Sequence, residues 1–77
     1  LEKITLSIDS TELTEAVVTD LSTLVEKAPG KVQLYVQVVD SVHNVSLMLR
    51  SRSHTVNVTN ELLNYVDAHP AMSYHIN

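Results

Sequence analysis

From Lys3 to Ile8 apolar and polar residues alternate, with Ile4, Leu6 and Ile8 on one side, the period of a half-buried strand. Asp9, Ser10 and Thr11 break the alternation. From about Thr14 to Ala28 the spacing changes, and Val17, Val18, Leu21, Leu24 and Val25 form the stripe of an amphipathic helix. Thr14 is placed to cap it, with Glu15 next at the positive end of the dipole. Leu13 and Val18 take the positions of a hydrophobic staple across that cap. Pro29 and Gly30 are read as the stop, the proline lacking a backbone donor and the glycine supplying a flexible position.

Lys31 to Asp40 reads as a long strand with Val32, Leu34, Val36 and Val38 facing inward, followed by a hairpin connection over Ser41 to Asn44. Val45, Leu47 and Leu49 are expected to continue the inward face, while Ser46, Met48, Arg50 and Arg52 point out. A second turn is expected near Ser53, then a brief strand marked by Val56 and Val58. Thr59 caps a shorter helix with Val58 and Leu63 as its staple and Leu62, Leu63 and Val66 as its stripe. His69 and Pro70 stop it, and Met72 to Ile76 alternates as a last strand.

The expected order is therefore β-α-β-β-β-α-β. Ile4 to Val38 and Val56 to Ile76 each hold a β-α-β-like unit, with too few identities to claim a repeat. Every strand has one apolar and one mainly polar face, whereas a sheet covered on both sides needs apolar residues on both. The pattern predicts an α+β fold, a two-layer sandwich with both helices on one face of a mixed sheet. Strand order stays open.

Length and composition narrow this further. The chain has 77 residues, room for one core and one domain. Hydrophobic residues make up 44%, which argues against wholesale disorder. With no Trp and no Phe, the core must be built from Val, Leu and Ile, with Tyr35, Tyr65 and Tyr74 the aromatic candidates. No cysteine is present, which removes disulfides and thiolate chemistry and fits a reducing cytoplasm as the expected location. No apolar run approaches membrane-spanning length, so no membrane role is expected. The sequons Asn44-Val45-Ser46 and Asn57-Val58-Thr59 are short patterns that arise by chance, and glycosylation is not expected. The chain begins at Leu1 rather than at an initiator Met, and is read as a piece of something longer.

Five Lys and Arg stand against nine Asp and Glu, a net charge of -4. Gripping a phosphate backbone calls for a basic surplus, so direct nucleic-acid binding is not expected as the main task.

The chemistry-bearing residues form no catalytic set. The single glycine sits at a helix end, so there is no phosphate loop, and no serine lies in a Gly-x-Ser-x-Gly elbow. Glu12, Glu15, Asp20, Glu26, Glu61 and Asp67 read as solvated helix surface, and Asp9 and Asp40 as turn residues. His43, His54, His69 and His75 make no close ligand pair. Catalytic, cofactor and metal residues are therefore expected to be none. The candidate site is a protein-contact patch on the open sheet face: Tyr35, Val39, Met48, Arg50 and Arg52, with Gln33 and Gln37 around them. Ordinary uneven surface, or a weak single-strand contact through the two arginines and Tyr35, are the alternatives.

Several stretches resemble a known family. They are Ile4-Thr5-Leu6-Ser7-Ile8, Leu24-Val25-Glu26-Lys27-Ala28-Pro29-Gly30 and Val32-Gln33-Leu34-Tyr35-Val36. Val56-Asn57-Val58-Thr59-Asn60-Glu61-Leu62-Leu63 and His69-Pro70-Ala71-Met72-Ser73-Tyr74-His75-Ile76-Asn77 complete the set. Together they are similar to the extreme C-terminal domain of the bacterial DNA polymerase III alpha subunit, most of all in its Bacteroides-group forms. The resemblance implies that residues 1–77 are a single non-catalytic accessory domain at the end of a longer DNA-directed DNA polymerase. In that family Mg²⁺ is held by palm-domain aspartates, and nothing here matches that site, so no cofactor is implied for this chain. The family's C-terminal region is associated with the clamp-loader tau subunit, so the implied partner is tau or the preceding polymerase domain. Gln33-Leu34-Tyr35-Val36 superficially echoes a sliding-clamp peptide, but it reads as an in-sheet strand with Leu34 buried. A standalone adaptor or structural domain unrelated to replication is the alternative.

Overall fold

The computed structural model describes the backbone of residues 2–77 and the side chains of all of these except 50–54. Strand β1 (Lys3–Asp9) leads through a 3-10 turn, Ser10–Glu12, into helix α1 (Glu15–Lys27). Strands β2 (Pro29–Asp40) and β3 (Val45–Val56) follow as a hairpin, then helix α2 (Asn60–Asp67) and strand β4 (Met72–Ile76). The sheet order is β3-β2-β1-β4, with β1 and β2 parallel and both outer pairs antiparallel. This is the mixed-sheet α+β fold that the periodicity predicts.

The caps do what their residue types require. The Thr14 hydroxyl accepts from the Val17 amide at 3.3 Å, and Thr59 accepts from Leu62 at 3.2 Å. The register aligns Ile4, Leu6 and Ile8 with Leu34, Val36 and Val38 on one face. Val17 and Val25 of α1 and Leu62 and Val66 of α2 join those β1 residues, Leu34, Val56 and Met72 in a single core. Both helices thus lie on the same side of the sheet. The Tyr65 hydroxyl donates to Asp20 at 3.0 Å and ties α2 to α1.

Two expectations are corrected. Val56 does not open a separate strand after a turn near Ser53, because β3 runs unbroken from Val45 to Val56. The disruption expressed in the sequence as a turn is a slip in the ladder: Gln33 pairs with Thr55, but Tyr35 pairs with Arg50. Between those pairs β2 has one residue and β3 four, a bulge-like irregularity that interrupts the ladder without ending the strand. The observed order is β-α-β-β-α-β, and Val58 lies after β3, partly buried against the core.

The second correction concerns Val45, Leu47 and Leu49. They share the helix-side face, since Leu47 pairs with Val38 and Leu49 with Val36, but they are not core. Leu47 is 57% exposed and Leu49 48%. The cause is reach. Through β2, Leu47 lies level with Ile8 and Leu49 with Leu6, both only 1% exposed, so the helices fall short sideways across the sheet rather than along the strands. The two helices cover β1 and the adjoining part of β2 and leave Val45, Leu47 and Leu49 of the edge strand β3 bare.

Candidate functional site

On the face away from the helices, the register sets Thr5 beside Tyr35 and Tyr35 beside Arg50, then Gln37 beside Met48. The Lys3 ammonium lies 5.0 Å from the centre of the Tyr35 ring, within cation–π range. The Tyr35 hydroxyl donates to Gln33 at 3.4 Å, and Ser7 donates to Gln37 at 3.1 Å. Tyr35 and Val39 are half-buried, while Met48 is exposed. Three residues of the expected patch therefore share this open face. The side chains of Arg50 and Arg52 lie outside the described residues. What remains is a polar lattice around one tyrosine, with Met48 as its protruding apolar member.

The larger apolar surface is on the other side. A cleft of about 370 Å³ opens between α1 and the β2–β3 half of the sheet. Leu13, Val18, Leu21 and Val25 line one wall, Leu34, Val36, Val38 and Leu49 the other, with Glu26 the one charged member. Leu13 and Val18, the expected staple pair, turn toward this cleft and stay partly exposed. Sequence periodicity cannot distinguish a covered inward face from an uncovered one. The available signal was the count of elements, since two helices lie over a four-stranded sheet and leave an edge strand short of cover.

The carboxylates serve as turn fasteners. Asp9 accepts from the Thr11 amide at 3.0 Å, the Thr11 hydroxyl at 2.7 Å and the Ser41 hydroxyl at 3.2 Å. Asp40 accepts from the amides of Val42 and His43, both at 3.1 Å, and from the His43 ring at 2.8 Å. The Thr11 amide holds the Asp9 carboxyl below its ordinary value, and the His43 ring does the same for Asp40. Each acid is occupied by local donors, which suits holding a hairpin rather than moving a proton. Asn44 closes that hairpin in the left-handed region at φ 54°.

His69 follows the end of α2, where its Nδ1 meets the Tyr65 carbonyl at 2.7 Å and its ring lies 4.3 Å from the Tyr65 ring. Burial pushes the Tyr65 phenol up, and its hydrogen bond to Asp20 adds to this. Among the described residues no three of His, Asp and Glu converge as a metal site would require. No helix among them is long and apolar enough to cross a membrane.

The described residues offer two surfaces: an open face around Tyr35 and Met48, and an apolar cleft beside α1. Among curated proteins, none matches this chain. The family model described as DNA polymerase III alpha subunit, C-terminal domain, matches residues 4–77. That match covers nearly the whole chain, caps, core and final strand included, and the chain belongs to this family.

Proposed function

We propose that this domain is a non-catalytic docking element of a replicative DNA polymerase, holding the alpha subunit to a protein partner in the replisome. The observation that supports the reading best is family membership over residues 4–77 in a domain whose features are surfaces. The clamp-loader tau subunit is the proposed partner, with the preceding polymerase domain the other protein that the same surface would fit. An apolar Met48 diagonal to Tyr35 across the β2–β3 ladder, with Gln33 and Gln37 nearby, has the layout of a contact patch with an apolar centre and a polar edge. The proposal extends to a parent enzyme that is a cytoplasmic DNA-directed DNA polymerase of the Bacteroides-group form, with its Mg²⁺ chemistry in another domain.

The sequence upstream of Leu1 tests the parentage. A long polymerase with palm aspartates supports the reading, and a start codon close by contradicts it. Primer extension tests the division of labour. The 77-residue chain should add no nucleotide to a primed template with deoxynucleotides and Mg²⁺. Extension by the chain alone would overturn the non-catalytic assignment.

A further inference from the structure

The two edges of the sheet are unequal. β4 is a short edge of five residues. β3 is an edge of twelve, bonded to β2 on one side only. Natural edge strands are usually blunted by a charge, a proline, a bulge or brevity, because an unpaired ladder invites another strand. Val45 to Leu49 has none of these: no charged residue or proline occurs there, and the ladder slip lies beyond Arg50. No Asp, Glu, Lys or Arg occurs from Ser41 to Leu49, so the net charge of -4 resides elsewhere and does not repel at this edge.

The pattern of this edge is self-complementary. In an antiparallel pair of identical strands centred on Leu47, Leu47 faces its own copy, Val45 faces Leu49 and Ser46 faces Met48. All three apolar pairs fall on the helix side, where Val45, Leu47 and Leu49 are exposed. Cross-strand apolar pairs are what stabilise such a ladder. We propose that β3 pairs with β3 of a second copy of this chain, antiparallel about a two-fold axis at Leu47, joining two four-stranded sheets into one. The strip is small beside the ~1,600 Å² of a standard interface, so association is weak and concentration-dependent. The inference rests on the edge itself and is independent of the polymerase reading.

Sedimentation equilibrium of the 77-residue chain tests it. The mean mass of the wild type should rise from monomer toward dimer between micromolar and millimolar concentration. Leu47→Lys and Leu47→Glu each place like charges face to face, and each should weaken association by an order of magnitude or more. A one-to-one mixture of the two should recover it, which a merely structural role for Leu47 would not produce. As the chain has no cysteine, Leu47→Cys gives a second readout: it should oxidise to a covalent dimer, and Ser73→Cys on β4 should not. A wild type that stays monomeric throughout, charged variants that associate like wild type, or a mixture that fails to recover would overturn the proposal. So would equal crosslinking at positions 47 and 73.

Discussion

Replacing Gly30 with Ala should destabilise the domain by more than any helical glycine would. Gly30 does not adopt a left-handed conformation, since no glycine here has a positive φ. Its lack of a side chain is needed for a different reason. A Cβ built on Gly30 would sit 2.6 Å from the carbonyl carbon and oxygen of Val56 and from the Asn57 nitrogen. These obstructing atoms are backbone, and they are pinned. Asn57 donates to the Ala28 carbonyl at 2.8 Å, and the Thr55 hydroxyl donates to the Gly30 carbonyl. To reach ordinary contact, the end of β3 would have to retreat by most of an ångström and carry the fully buried Val56 with it.

Overpacking of this kind costs about 1–3 kcal/mol, and rigid backbone places this site at the upper end. The reduced freedom of the unfolded chain returns about 0.4–1 kcal/mol, since alanine is allowed at this φ. The net loss is about 2 kcal/mol, which in a domain of this size lowers the melting temperature by roughly 8–16 °C. Thermal melts followed by circular dichroism measure it, with Lys31→Ala, an exposed neighbour, as the control. A Gly30→Ala variant that melts within about 2 °C of wild type, or above it, would refute the close-approach argument.

Leu62→Ala removes a side chain only 2% exposed at the centre of the α2 contact, and should cost about 2–5 kcal/mol in a denaturant titration. Thr14→Ala leaves the Val17 amide without its acceptor and should cost about 1 kcal/mol, with Thr14→Ser restoring most of it. Asp9 and Asp40 are both held below their ordinary values, so the folded state binds their protons less readily than the unfolded chain. Their contribution is complete above the ordinary carboxylate range and is lost as pH falls through the lowered folded values. Melts across that acid window should show Asp40→Asn losing less stability on acidification than wild type.

Both caps, the inward face of β1 and the helix stripes apart from Val18 were legible because each is a local pattern with a local cause. Thr14 and Thr59 bond their own first turns, and Ile4, Leu6 and Ile8 need only a period of two. What could not be read locally was coverage and register. Leu47 and Leu49 follow the same alternation as Leu34, yet only Leu34 has enough helix above it to be buried. The ladder slip opposite Leu34 looked like a turn because a bulge and a turn both interrupt alternation. Gly30 drew attention as a flexible helix stop, while its structural reason lies across the hairpin at Val56. Of the expected patch, strand parity correctly turned Tyr35, Val39 and Met48 away from the helices. The cleft beside α1 was missed, because Leu13 and Val18 read as a staple packing on each other rather than as one wall of an opening.

Calorimetric titration of the clamp-loader tau subunit into this domain, and into a longer C-terminal region containing it, tests the docking role most directly. Wild type should bind, and the Tyr35→Ala, Met48→Ala double variant should bind more weakly by about 1–3 kcal/mol while melting close to wild type. Absence of binding by both lengths of wild-type protein would contradict the tau assignment. Unchanged affinity in the folded double variant would remove the open face from it.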